Sequence, residues 1–205
     1  MGLIEQQLIN ELKSAGFKFQ DIDHLYRQRD FLPLKACKII LKWLPDVYKE
    51  HIGSGECLVR SLLCPSDPFD PAILISLFEN SDLNDTLKCT IGYVLSIANT
   101  KDIREWLLHQ LLDKEHSFAR TGLLDGIVPK GGFKTKNELK EFLFQIFDKY
   151  SCYEIFQKLV QKYSSTEDIP FIEQKAIEAD SKRKSRELLK VADRIRTRKR
   201  IPKFP

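Results

Sequence analysis

The chain reads as all-α, and within that class as a right-handed α-solenoid with extra helices at its N- and C-terminal ends. Three observations predict this. A short signature of an apolar residue, a basic one and an apolar cluster recurs at intervals of about 30 residues, in the range of helical repeat proteins: Val59-Arg60-Ser61-Leu62-Leu63, Leu87-Lys88-Cys89-Thr90-Ile91 and Ala119-Arg120-Thr121-Gly122-Leu123-Leu124. No stretch alternates apolar and polar residues as a half-buried strand does. Only short connections separate the helical segments, as in antiparallel pairs. Each such pair buries its apolar face against its neighbours, so the recurrence explains a fold without requiring a reaction.

Taken in order, residues 3–15 place Leu3, Ile4, Leu8 and Leu12 on one helical face and stop near Gly16; residues 22–28 form a second, short helix. Together they make an N-terminal cap over residues 1–30. The repeats occupy residues 31–128. Pro33 stands near the start of a helix in which Lys35, Lys38, Lys42, Asp46 and Lys49 line up as one charged stripe. The rest of that helix is apolar nearly all round, which predicts neighbours on more than one side. Its partner covers residues 55–63. A second pair opens at Asp70-Pro71, a cap residue followed by proline at the first helical position, and runs through residues 72–78 and 83–98. A third pair spans residues 102–112 and 116–127.

Val128-Pro129-Lys130-Gly131-Gly132-Phe133 is the clearest break. Residues 129–179 follow as helices completing the array. Two capping boxes, Thr135-x-x-Glu138 and Ser151-x-x-Glu154, predict helices over 136–149 and 152–163. A last helix begins near Asp168-Ile169-Pro170 and continues past Ala179. Residues 180–205 form a basic amphipathic helix or tail.

The net charge of +4 hides a division. Residues 180–205 hold eleven Lys/Arg against three Asp/Glu, and the rest of the chain carries a small acidic excess. Residues 51–100 have only Arg60 and Lys88 against Glu56, Asp67, Asp70, Glu79, Asp82 and Asp85, which argues against a nucleic-acid groove there. No run of apolar residues is long enough to span a membrane, and the N-terminus lacks a basic region followed by an apolar one. Gln6 stands where a myristoylation signal has Ser or Thr. Five cysteines, Cys37, Cys57, Cys64, Cys89 and Cys152, include no C-x-x-C pair and read as small core residues of a reducing compartment. The expectation is a cytoplasmic protein without a membrane span.

The helical pair with an apolar or small residue before Arg or Lys near the start of its second helix resembles the HEAT repeat of the HEAT/armadillo superfamily. The best match is Asp113-Lys114-Glu115-His116-Ser117-Phe118-Ala119-Arg120-Thr121-Gly122-Leu123-Leu124, with weaker echoes at Val59-Arg60 and Leu87-Lys88. The resemblance covers about half the chain, from Pro33 to Val128. It implies stacked pairs in which Arg60, Lys88 and Arg120 reach a carboxylate or loop of the adjacent repeat. The Asp-Pro usual before the second helix is missing here.

Chemistry-bearing residues are few. Glu105, His109, Asp113 and His116 have spacings that put metal-ligating groups near one helix face, although any solvated face produces the same pattern. HEAT-like deoxyhypusine hydroxylases bind iron through His-Glu pairs; Lys49-Glu50-His51 and Lys114-Glu115-His116 reverse that order and read as loop residues. HEAT-like alkylpurine DNA glycosylases use tryptophan, aspartate and arginine on a concave face. Trp43, Asp46, Trp106 and Arg120 are the residues of those types here, without a motif match. Gly131-Gly132 lacks the phosphate-loop frame, and no Ser, Cys or His motif marks a nucleophile. No catalytic, cofactor or metal residue is assigned.

The first functional expectation is therefore a non-enzymatic scaffold, adaptor or inhibitor. HEAT-like immunity proteins that neutralise a toxin are one such class, and the mildly acidic array favours a basic protein partner. The alternative is nucleic-acid binding through Lys35, Lys38, Lys42 and Lys49 together with Lys182, Arg183, Lys184, Arg186, Arg194, Arg196, Arg198, Lys199 and Arg200. Aromatic residues for base stacking are nearly absent from the tail. A HEAT-like enzyme such as a DNA glycosylase ranks third.

Overall fold

The computed structural model describes residues 2–28, 31–113, 118–147 and 154–198. Over these residues the protein is helical and contains no β-strand. The helices are α1 (Leu3–Ser14), α2 (Ile22–Arg27), α3 (Leu34–Glu50), α4 (Ile52–Ser61), α5 (Ala72–Glu79), α6 (Asp85–Ile97), α7 (Arg104–Leu112), α8 (Ile127–Lys130), α9 (Lys136–Gln145), α10 (Glu154–Tyr163), α11 (Ile169–Ile177) and α12 (Lys182–Thr197), with 3-10 turns at Phe118–Gly126 and Thr166–Asp168. The chain divides into two units, Met1–Leu107 with Ser117–Lys130, and Leu108–His116 with Gly131–Pro205.

In the first unit, α3 buries a broad face, among it Ala36, Ile39, Ile40, Leu41, Leu44 and Val47, with Lys35, Lys38, Lys42, Asp46 and Lys49 exposed on the other side, and packs against α1, α4 and α5. α4 packs against α2 and α6, and α6 against α5 and the Phe118–Gly126 turn. The segments between the pairs are tied to one another by a repeated backbone device. The Leu32 N–H donates to Cys64 O and its carbonyl accepts from Ser66; Phe69 makes the same two bonds with Asn99 and Lys101. Leu32 and Phe69 are both buried, which seats each joint on the core.

Local side chains set the helix ends. Asp21, Asn84 and Thr135 accept from the N–H three residues on and cap α2, α6 and α9. The Glu138 carboxylate reaches back to the Lys134 N–H, one residue beyond the Thr135 N–H of the reciprocal box the sequence suggests; Ser151 of the second expected box lies outside the described residues. Asp70 accepts from Ala72, while Pro71 is the cap and not the first helical residue.

Two expected helices take another form. Residues 116–127 are not one α-helix: Phe118–Gly126 is a 3-10 turn, and the short α8 follows it. Gly122 and Gly126 weaken an α-helix there. Their missing Cβ atoms also let the backbone settle on α6, where a Cβ at Gly122 would stand 2.8 Å from Tyr93 N and one at Gly126 2.7 Å from Ser96 Cβ. The continuous helix expected past Ala179 is also broken. Ser181 adopts an extended conformation and accepts from the Lys184 N–H, so α11 stops and α12 starts anew.

In the second unit α10 packs against α9 and α12, and α12 against α11. Phe147 meets Phe156 and Phe171 edge-on, while Phe144 stacks on Phe171 at 4.4 Å between centroids. α12 is amphipathic and buries Leu188, Val191, Ala192 and Ile195.

Candidate functional site

A concavity of the first unit lies along the C-terminal half of α3, α5 and the α5–α6 turn, and has a volume of about 1230 Å³. Pro45 and Tyr48 of α3, Ile52 at the start of α4, Ile73 and Leu77 of α5, and Leu83 and Leu87 give it an apolar lining. Ile52 is 56% exposed. Glu79 and Asp82 stand at the α5 end, and the one lysine in the lining, Lys49, is 4.0 Å from Asp46. Tyr48 packs its ring against Gly55, where a Cβ would approach to 2.6 Å, and its buried hydroxyl makes no hydrogen bond among the described residues. Burial, with Glu56 nearby, pushes that phenol well above its ordinary range. The arrangement offers an apolar seat with an acidic end. No short motif in the sequence encodes it, because its walls come from positions between 45 and 87.

The lysine stripe is divided in use. Lys42 donates to both Glu11 carboxylate oxygens, at 3.0 and 2.7 Å, and Trp43 Nε1 donates to the same group at 2.7 Å. Those hydrogen bonds hold the Glu11 carboxyl below the usual range. Lys35 donates to Ala15 O at 3.4 Å. Two of the four stripe lysines thus fasten α1 to α3, whereas Lys38 and Lys49 face solvent.

Of the three residues expected to bridge repeats, Arg60 pairs within its own helix with Glu56 at 2.7 Å, and Glu56 also accepts from Thr90 of α6 at 3.3 Å. The link between successive pairs therefore runs through the glutamate. Lys88 and Arg120 are half-buried. Trp43 and Trp106 spend their indole N–H groups on Glu11 and Glu79.

Ser54, His51 and Glu5 meet within hydrogen-bond reach. The Ser54 hydroxyl donates to Glu5 and lies 2.9 Å from His51 Nδ1, which also accepts the Ser54 N–H at 3.1 Å. Burial opposes ionisation of Glu5, but the Ser54 hydroxyl and the Gly2 N–H outweigh it and lower its pKa. A nucleophilic serine needs its proton taken by a base that a third group orients. Here the carboxylate takes the hydroxyl directly and the imidazole is occupied as the α4 cap, so the trio ties α1 to α4. Nearby, Glu50 accepts from the Ile4 N–H.

Among the described residues no three His, Cys, Asp or Glu side chains come together as metal ligands. His116 of that expected group, and the whole Lys114-Glu115-His116 segment, lie outside them. The cysteines differ in setting: Cys37 is buried and pushed up to about 11 by burial, whereas Cys64 is exposed and departs from the core role expected of it. Cys152 lies outside the described residues. No helix among them is long and apolar enough to cross a membrane.

The basic helix α12 is docked, and its cations fall into two groups. Arg196 pairs with Glu173 at 2.6 Å and Asp193 at 2.5 Å, Lys190 with Glu187 at 2.8 Å, and Lys184 with Asp180 at 2.7 Å. Arg194 donates to Gln161 Oε1 at 3.3 Å. Arg198 donates to the carbonyls of Gln161 and Ser164 at the C-terminal end of α10, a favourable place for a cation. Lys182, Arg183 and Arg186 are exposed and have no ion pair among the described residues. Lys199 and Arg200 lie outside them. No protein-family model matches the chain, and searches of curated proteins and of solved structures find no match either.

Proposed function

We propose that this chain is a protein-binding scaffold of HEAT-like helical pairs stacked as an α-solenoid, and that the α3–α5 groove seats an apolar, basic segment of its partner. The groove carries the reading: it joins an apolar lining with exposed Ile52 to the carboxylates of Glu79 and Asp82. An apolar floor supplies affinity when covered, and charge complementarity selects a basic occupant. The stacking is supported by the contacts of α3 with α5 and of α4 with α6, and by the repeated joint at Leu32 and Phe69. An adaptor and an inhibitor of a basic toxin would both use such a seat. Nucleic-acid binding through the lysine stripe draws less support, because Lys35 and Lys42 are spent on α1.

The test is fluorescence polarisation with two short labelled amphipathic helices, one of Leu and Lys and one of Leu and Glu. The Leu/Lys peptide binds, and the double variant Ile52→Ser, Asp82→Lys weakens it roughly tenfold, as loss of an interface anchor does. Equal affinity for the two peptides, or for the two proteins, sinks the reading.

A further inference from the structure

The cations of α12 that make no ion pair among the described residues cluster beside protruding aliphatic side chains. α11 ends at Ile177, which at 78% is the most exposed large apolar side chain among the described residues; Leu189 of α12 is 44% exposed. Between them lies a shallow depression of about 450 Å³ lined in part by Ala176, Ser181, Lys182 and Arg186. Lys182, Arg186 and Leu189 follow i, i+4, i+7 spacing and share one helix face. No carboxylate lines the depression. The nearest acids in sequence, Glu178, Asp180 and Glu187, are engaged by Lys175 at 3.2 Å, Lys184 at 2.7 Å and Lys190 at 2.8 Å.

The chemistry selects the occupant. A nucleic acid would pair with the cations but leave Ile177 and Leu189 in water, and no aromatic ring lines the depression to stack a base. An aliphatic prominence ringed by cations matches the boundary of an anionic bilayer, where headgroup charge lies just outside the acyl region. We propose that this corner of the second unit docks on an anionic lipid surface, with Ile177 and Leu189 entering the headgroup layer and Lys182, Arg183 and Arg186 meeting the lipid phosphates and carboxylates.

The experiment is co-sedimentation of the full chain with phosphatidylcholine vesicles and with vesicles that also contain phosphatidylserine. Binding is expected only to the second kind and is released by added salt. Arg186→Gln lowers the partition about fivefold, the effect of one surface cation. Ile177→Ser removes most of the binding while leaving the thermal melt unchanged, because that side chain is 78% exposed. Lys190→Gln, on the same helix but paired with Glu187, is the charge-matched control and keeps most of the binding. Absence of binding to serine-containing vesicles overturns the proposal, as does equal binding to both vesicle types or an equal loss in Lys190→Gln. A salt-sensitive affinity for duplex DNA that Arg186→Gln abolishes, with no vesicle binding, assigns the corner to nucleic acid instead and likewise overturns it. The peptide assay on the α3–α5 groove reads the other unit, so the two proposals fail separately.

Discussion

Lys130 Nζ donates to the Ala98 carbonyl at 2.7 Å, closing the C-terminal end of α6 from 32 residues further along the chain. It also donates to Leu95 O at 2.6 Å and Thr100 Oγ1 at 2.9 Å. All three acceptors are neutral, and burial pulls the amine down to about 8 from its ordinary 10.5. The unfolded chain therefore binds this proton more tightly than the folded one.

Lys130 thus contributes least to stability below about pH 8, and its contribution rises with pH up to the unfolded pKa near 10.5. Denaturant melts of wild type and Lys130→Met across that window read the effect directly. The gap between them should move in favour of wild type as pH increases. A pH-independent gap removes the titration from Lys130.

Gly122→Ala and Gly53→Ala should have opposite signs. A Cβ at Gly122 meets the backbone of Cys89 and stands 2.8 Å from Tyr93 N, neither of which can turn aside. Overpacking of that kind costs about 1–3 kcal/mol. At Gly53, in the first turn of α4, the nearest atom is His51 Cε1 at 3.2 Å, the edge of an exposed side chain. Alanine there gains roughly 0.5–1 kcal/mol of helix propensity. Chemical denaturation of the two variants decides, and a stabilised Gly122→Ala contradicts the close approach to α6.

Asp168→Asn should destabilise the second unit. The carboxylate accepts from Lys140 at 3.0 Å and from the Ser165 N–H at 2.6 Å, with side chains only 10% and 21% exposed for Asp168 and Lys140. Burial works against its charge, yet the Ser165 N–H and Lys140 prevail and lower its pKa. A carboxyl lowered on folding lends stability that is full above its unfolded pKa of about 3.8 and is lost as pH falls through the folded value. The expected cost near neutrality is about 2 kcal/mol, less than for a fully buried pair. The wild-type advantage should shrink below pH 4, as urea melts from pH 7 to 3 would show.

Deleting residues 180–205 should unfold the second unit and so cannot isolate the tail charges. α12 buries Leu188, Val191, Ala192 and Ile195, and Arg198 closes the end of α10. Circular dichroism of the truncated chain should show more helix lost than the α12 residues alone account for. A loss confined to those residues indicates an independent appendage.

The sequence announces helices where an apolar period of 3.6 and a cap coincide. Thr135 caps as the sequence predicts, and the broad apolar face of α3 foretells its several neighbours. It is silent where the decision lies in tertiary contact. The break at Ser181 falls in a polar stretch with no period to interrupt. The 3-10 turn at Phe118–Gly126 depends on how closely α6 approaches Gly122. At the candidate sites the same division holds. The basic run 180–205 is plain in composition, but which cations are spent depends on Glu173, Asp180 and the carbonyls of Gln161 and Ser164. Likewise Lys42 reads as a free charge until Glu11, 31 residues away, takes it.

The joints at Leu32 and Phe69 bear on how such a chain can change length. Each consumes its neighbour's main-chain donors and acceptors, so a residue inserted at Pro65 or Thr100 shifts the rung on which the preceding joint rests. Indels in this stretch should then be tolerated inside the α5–α6 turn and rejected at the joints, so the two rungs mark where the spacing between helices is fixed.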